Sequence, residues 1–341
     1  MIPRQRSVCC WLAGVSFAIV ASSFLVSAAG KPPAGSSFGV GTVFLPNPVA
    51  DLGDETLTDQ KDADYPALAA AYHDVLLTNL DGSGFLVGDW AQVVSETGDP
   101  AYSPANEFRY HRDDDRFEQV MAYYWITEAQ KYIQSLGFGT SRRPVNMKSQ
   151  RVRINQWGLD NSFATTHKDE LRFGKGGVDD AEDAEVILHE YGHAIHFSQG
   201  FVFGSEEAGA ISEGFGDYWA VTVSTLVAPT PDPACVADWD SVSYTASVPH
   251  CLRRVDTNLH YPGNLNGEVH HDGQIWSRAL WDIRQAVGNI KADTIILEAQ
   301  FDFPGTTMRD LAATTVAVAD SLYGRAVARQ VRTAFENRGL L

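Results

Sequence analysis

The chain has 341 residues, enough for two domains or two lobes around one cleft, and its 44% hydrophobic and 20% charged residues are near globular averages. Wholesale disorder, a collagen-like repeat and a polytopic membrane protein are excluded on those grounds. Lysine plus arginine total 26 against 43 aspartate plus glutamate, a formal charge of -17, which argues against nucleic acid as the partner because phosphate recognition needs cationic surface.

Arg4 and Arg6 precede an apolar run from Val8 to Val26, and Val26-Ser27-Ala28 has the small-residue pattern of a signal-peptide cleavage site. Residues 1–29 are therefore predicted to be a signal peptide. The competing reading is an uncleaved anchor, since the stretch from Val8 to Ala29 is long enough to span a bilayer; only then would a membrane be a partner. Cys9 and Cys10 fall inside this leader. Cys235 and Cys251 remain, and an even pair in an exported chain predicts a disulfide between them.

Residues 30–65 are rich in Gly, Pro and Asp around the apolar stretch Val40 to Leu45, which reads as extended edge structure. Asp74-Val75-Leu76-Leu77 and Phe85-Leu86-Val87 flank the turn residues Asp81-Gly82-Ser83-Gly84, as in a hairpin. From Arg116 to Leu136 the apolar positions take helical spacing, and Gly137 ends the helix. Alternation over Arg151 to Asn155 and again over Glu170 to Phe173 predicts two strands of a mixed or antiparallel sheet. Helices are then expected over 183–199, 208–227, 273–287 and 306–337, the last broken at Gly324. The insert 228–263, with three prolines and the two cysteines, reads as a long stapled surface loop. The class is thus α+β, with a sheet-bearing lobe over 30–200 and a mainly helical lobe over 201–341.

His189-Glu190-Tyr191-Gly192-His193 lies within an apolar helical stretch. Four residues apart, His189 and His193 share one helix face, so two imidazoles can grip one metal, while the intervening carboxylate can reach a water on that metal without ligating it. Nitrogen ligands suit zinc, and Glu190 is the candidate general base. Position 199 is Gln199 and position 196 is His196, which excludes a metzincin third histidine. Glu213 in Ile211-Ser212-Glu213-Gly214-Phe215-Gly216-Asp217 completes a His, His, Glu set, and Asp217 shares its helical face. Glu206 and Glu207 compete as third ligand but lack a carboxylate four residues on.

In these motifs the chain resembles the gluzincin metallopeptidases of the thermolysin and fungalysin type, over residues 100 to 341. The resemblance implies a thermolysin-like two-lobed fold with the zinc cleft between the lobes, peptide or protein substrates, and one catalytic zinc. It implies that Asp217 hydrogen-bonds His189 and fixes its tautomer. Asn161-Ser162-Phe163 is similar to the edge-strand motif that binds the substrate backbone as an added strand. Val269-His270-His271-Asp272 is similar to the segment whose histidine stabilises the oxyanion, with His270 favoured over His271. Departures are Gly204 where an assisting tyrosine stands in thermolysin, and a substrate-binding arginine for which Arg253 and Arg254 are the candidates.

Alternatives stand beside each of these. His196 reads as a satisfied or solvent-facing histidine, and His250 and His260 as surface residues of the insert. The acidic run from Asp179 to Glu185 reads first as favourable charge at a helix N-terminus and second as part of a calcium site. Other activities to set against an endopeptidase are an aminopeptidase of the same clan, whose glycine, methionine, asparagine motif is missing here, and a metal-containing binding or adhesion module without turnover. A pure scaffold has no need of a general base, which favours the enzyme.

Overall fold

A computed structural model describes residues 37–94 and 98–341 of the chain. The expected leader, its cleavage site, Cys9 and Cys10 lie outside the described residues. Strand β1 (Ser37–Val43) is the middle of a three-stranded sheet, antiparallel to β2 (His73–Leu80) and parallel to β4 (Glu107–Phe108). The stretch expected to be an edge is thus interior. Its partners decide this, not its own residues; on its face a Cβ on Gly41 would fall 2.6 Å from Val120 of helix α2 (Arg116–Ser135), which packs closely on the strand. After β2 the chain does reverse around Asp81 to Gly84. The return leg makes only isolated bridges, Leu80 to Gly88 and Val87 to Gln92, before β3 (Ala91–Val93). A five-residue helix, α1 (Pro48–Leu52), is capped by Asn47.

The second sheet runs β3, β5 (Gln150–Arg153), β7 (Glu170–Arg172), β6 (Phe163–Thr165). The pairs β3–β5 and β5–β7 are parallel and β6–β7 is antiparallel, a mixed sheet as the alternation predicts. Glu170 is 1% exposed and binds Arg151, Arg153 and Arg172, at 3.1, 2.9 and 2.9 Å. Burial opposes its charge, but the three guanidiniums outweigh burial and hold the carboxyl down at about 2.

Helices α3 (Ala184–Ser198), α4 (Glu206–Val227), α5 (Val269–Val287), α7 (Met308–Tyr323) and α8 (Arg325–Asn337) follow the sequence periodicity, with Gly324 at the expected break. An unexpected helix, α6 (Asn289–Ala299), starts directly after Gly288. Ala292 to Leu297 are all buried, so the polar face that would mark a helical period is missing. Within it Asp293 accepts hydrogen bonds from Tyr132 of α2 and Tyr218 of α4 and pairs with Arg284 of α5, tying four helices.

The insert 228–263 departs from a surface loop. Cys235 and Cys251 form a disulfide, and β8 (Cys235–Val236) pairs with β9 (Arg253–Arg254). Trp239 is buried with Val49, Leu57, Leu68 and Val178 of the first half, and His250, read as a surface residue, is buried with its ring nitrogen 3.1 Å from the Glu55 carbonyl. The described residues all belong to one compact unit. No helix among them is long and apolar enough to cross a membrane.

Candidate metal centre

The centre is built where α3, α4 and α5 cross at close range. A Cβ on Gly192 of α3 would lie 3.0 Å from the Gly216 Cα of α4, and one on Gly214 would lie 2.2 Å from the Gly273 carbonyl of α5. Glycine inside a helix costs roughly 0.5–1 kcal/mol relative to alanine. Here it lets three backbones approach so that side chains from each reach one point. Asp183 caps α3 by accepting from the Glu185 amide at 2.9 Å, and the later turns of the helix present His189 and His193 toward α4.

His189 Nε2 is 3.1 Å from Glu213 Oε2, and His193 Nε2 is 3.6 Å from Glu213 Oε1. Ligand atoms of His189, Glu190 and His193 lie within 4.8 Å of one another. The opposite ring nitrogens are each engaged: His189 Nδ1 meets Asp217 Oδ1 at 2.9 Å, and His193 Nδ1 meets the Ser212 hydroxyl at 2.8 Å. Both Nε2 atoms are thereby turned inward beside one carboxylate. Two nitrogens and a carboxylate, with their outer partners in place, fit the donor set of a catalytic zinc site.

The electrostatics point the same way. Burial alone would strip His189 of its proton, but the Asp217 and Glu213 carboxylates outweigh burial and raise it to about 10. The site therefore holds a positive charge strongly, as a proton or as a cation that replaces it. His193, which lacks such a carboxylate bond, is lowered by burial to about 4 and is a neutral nitrogen donor. Glu213 and Asp217 are held low despite burial: Glu213 by His193 and His189, Asp217 to about 2 by Arg253 and His189. Glu190 is raised by burial to about 7, and its Oε2 is buried without a hydrogen-bond partner. A bond to the Ala164 backbone of β6 offsets part of that rise and sets the carboxylate beside the sheet edge.

At the second residue of α5, His270 Nε2 lies 3.4 Å from Glu213 Oε2, and its Nδ1 is 2.6 Å from Glu268. His271 turns instead to Asp272, at 3.0 Å. Arg253 makes a two-pronged bond to Asp217, both arms at 2.7 Å, whereas Arg254 pairs with Asp232 and Asp256 away from the centre. Asn161 is exposed at the head of β6, and Ser162 donates its hydroxyl to Asp180. Glu207 accepts from Tyr261 and from the Met308 amide, and so does not join the centre. His196 is buried, its Nδ1 2.9 Å from the same Ser212 hydroxyl that meets His193.

Three participants escaped the sequence reading: Ser212, Glu268 and the Arg253–Asp217 pair. Ser212 had a signal, since it directly precedes Glu213 on a helix already assigned to the site. Glu268 had a weaker one, as an acidic residue at the start of a helix whose next residues are the candidate histidines.

The family model for fungalysin metallopeptidase (M36) matches residues 107–297. Among solved structures the chain is similar to the precursor of protealysin, a metalloproteinase from Serratia proteamaculans. The TM-score is 0.60 at 16% identity, covering 74% of this chain and 88% of that one, which is a likeness of fold. No curated protein matches. The matched span contains the helices that carry His189, His193, Glu213 and His270, and on this evidence the chain belongs to the fungalysin family of zinc metalloendopeptidases, with a thermolysin-like α+β fold.

Proposed function

We propose that this chain is a secreted endopeptidase in which His189, His193 and Glu213 hold one zinc, Asp217 orients His189, Glu190 is the general base and His270 stabilises the oxyanion. The observation that carries the reading is the convergence of both inward Nε2 atoms on Glu213, with the unpartnered Glu190 oxygen buried alongside. When bound, zinc supplies a Lewis acid and an acidified water at the scissile carbonyl. Glu190 accepts the proton of the attacking water, and its raised affinity for that proton lets it hold it until the leaving amine takes it. His270, oriented by Glu268, presents Nε2 as donor to the developing oxyanion.

The substrate backbone adds to the open side of β6 beside Asn161, with Ser162 contributing through its main chain because its hydroxyl is committed to Asp180. The cleft then lies between residues 30–200 and 201–341, with α3 along its floor. Secretion is supported by the leader-like residues 1–29 and by the Cys235–Cys251 disulfide, which persists in an oxidising compartment.

The test is metal content and casein hydrolysis on the same purified protein. The parent should carry one zinc and lose activity to a chelator. Glu190→Gln should retain zinc and lose roughly a hundred- to ten-thousand-fold in turnover. His270→Ala should keep zinc and lose about a hundred- to a thousand-fold. A Glu190→Gln variant as active as the parent would overturn the mechanism, and zinc without turnover in the parent would favour a binding module.

A further inference from the structure

Outside the zinc centre, three carboxylates from distant parts of the chain meet in the interior. Asp160 precedes the edge segment, Asp180 lies in the turn before α3, and Asp240 belongs to the insert after β8. Each offers an oxygen within 4.8 Å of those of the other two. Asp180 and Asp240 are 2% and 3% exposed. Close packing holds the group together: a Cβ on Gly177 would fall 2.1 Å from Asp160 Oδ2 and 2.7 Å from the Ser243 hydroxyl.

The donors around this group do not balance it. Ser162 donates to Asp180, and the Tyr244 hydroxyl donates to Asp160. The Asp240 carboxylate receives neither: its Oδ1 is buried without a hydrogen-bond partner, as is Asp180 Oδ1, and each of the two residues offers an oxygen to the cluster. The nearby cation, Arg253, is already spent on both oxygens of Asp217. A buried carboxylate with no donor costs several kcal/mol unless a positive charge compensates it.

We propose that Asp160, Asp180 and Asp240 form a second, structural cation site, and that it takes calcium. Three carboxylate oxygens are hard ligands, which selects against zinc and for calcium, magnesium or manganese. They come from a bend and two separate 3-10 turns, and such short segments suit the flexible coordination of calcium better than the strict octahedron of magnesium. One bound ion would clamp the insert, the segment leading into β6 and the turn leading into α3. The zinc ligands sit elsewhere, so the site stands or falls separately from the peptidase reading.

The experiment uses the zinc-loaded full chain, stripped with a calcium-selective chelator and titrated with calcium by calorimetry, with thermal melting in parallel. The parent should bind one calcium and melt higher with it. Asp240→Asn should bind at least about tenfold more weakly, because carboxylate count sets calcium affinity. In chelator it should melt no lower than the parent, since one of three mutually repelling charges is gone. Zinc content should be unchanged in every variant. Should Asp240→Asn fail to fold, Asp160→Asn, on the partly exposed member, gives the same comparison. No calcium binding at millimolar concentration, or equal binding by parent and variants, would overturn the site. Equal shifts with magnesium at the same concentration would overturn the assignment to calcium.

Discussion

The chain holds two acidic clusters and treats them differently. At the candidate zinc centre the two carboxylates beside the histidines have counterparts: Glu213 faces two imidazoles, and Asp217 is held by His189 and by both arms of Arg253. At Asp160, Asp180 and Asp240 the acids face one another, and burial raises Asp160 to about 6 and Asp180 to about 7. Both sit in the interior, yet the first is held ionised and the second is pushed toward its neutral form. Burial alone therefore does not decide the charge of a carboxylate here. What decides it is whether the fold brings a cation or a proton donor within reach.

The contrast can be broken most severely at the zinc centre. Glu213→Ala removes the carboxylate that both imidazole Nε2 atoms face, and zinc content measured by elemental analysis should fall to near zero with activity lost; unchanged zinc would remove Glu213 from the ligand set. Glu170 sharpens the same rule without any metal. Glu170→Gln leaves three arginines facing a neutral group and should destabilise the fold by about 3–5 kcal/mol in urea unfolding at neutral pH. Its proton affinity is lowered in the folded chain from 4.5 to about 2, so its contribution is complete above pH 4.5 and is lost as pH falls through about 2. The stability gap between parent and variant should close over that window, and a gap constant down to pH 2 would contradict the account.

Asp217→Asn keeps a hydrogen-bonding group beside His189 but removes the charge. Zinc affinity, read by competition with a chromogenic chelator, should weaken about ten- to a hundredfold. The smallest effect is expected at Ser212. Ser212→Ala deletes a hydroxyl shared by His193 and His196, at a net cost near 1 kcal/mol, or about fivefold in zinc affinity. A loss as large as that of Asp217→Asn would mean that the serine, not the carboxylate, sets the ligand geometry.

Much of the zinc centre was legible because its parts are local. His189, Glu190 and His193 occupy one turn of one helix, Glu213 and Asp217 one turn of the next, and helical periodicity converts such spacings directly into shared faces. The same locality explains why α2, α3, α4, α5, α7 and α8 could be read, and why α6, buried all round from Ala292 to Leu297, could not. The edge assignment of Val40 to Leu45 failed because strand order depends on partners from residues 73 and 107 onward, and a single strand carries no mark of how many neighbours it has.

The acidic run before α3 shows the limit most clearly. Read alone, Asp179 to Glu185 is charge at a helix N-terminus, and Asp183 does cap α3. In the folded chain Asp183 also accepts from the Trp239 and Asp240 amides, Glu185 from the Ala237 amide, and Asp180 turns to Asp160 and Asp240. Those partners belong to the insert, some fifty residues downstream. Sequence by itself determined which residues make up the candidate metal centre, since a few residue types at helical spacing share one face. Tertiary structure alone decided which of the remaining acids are neutralised, because that depends on contacts between segments whose separation along the chain says nothing of their distance in space.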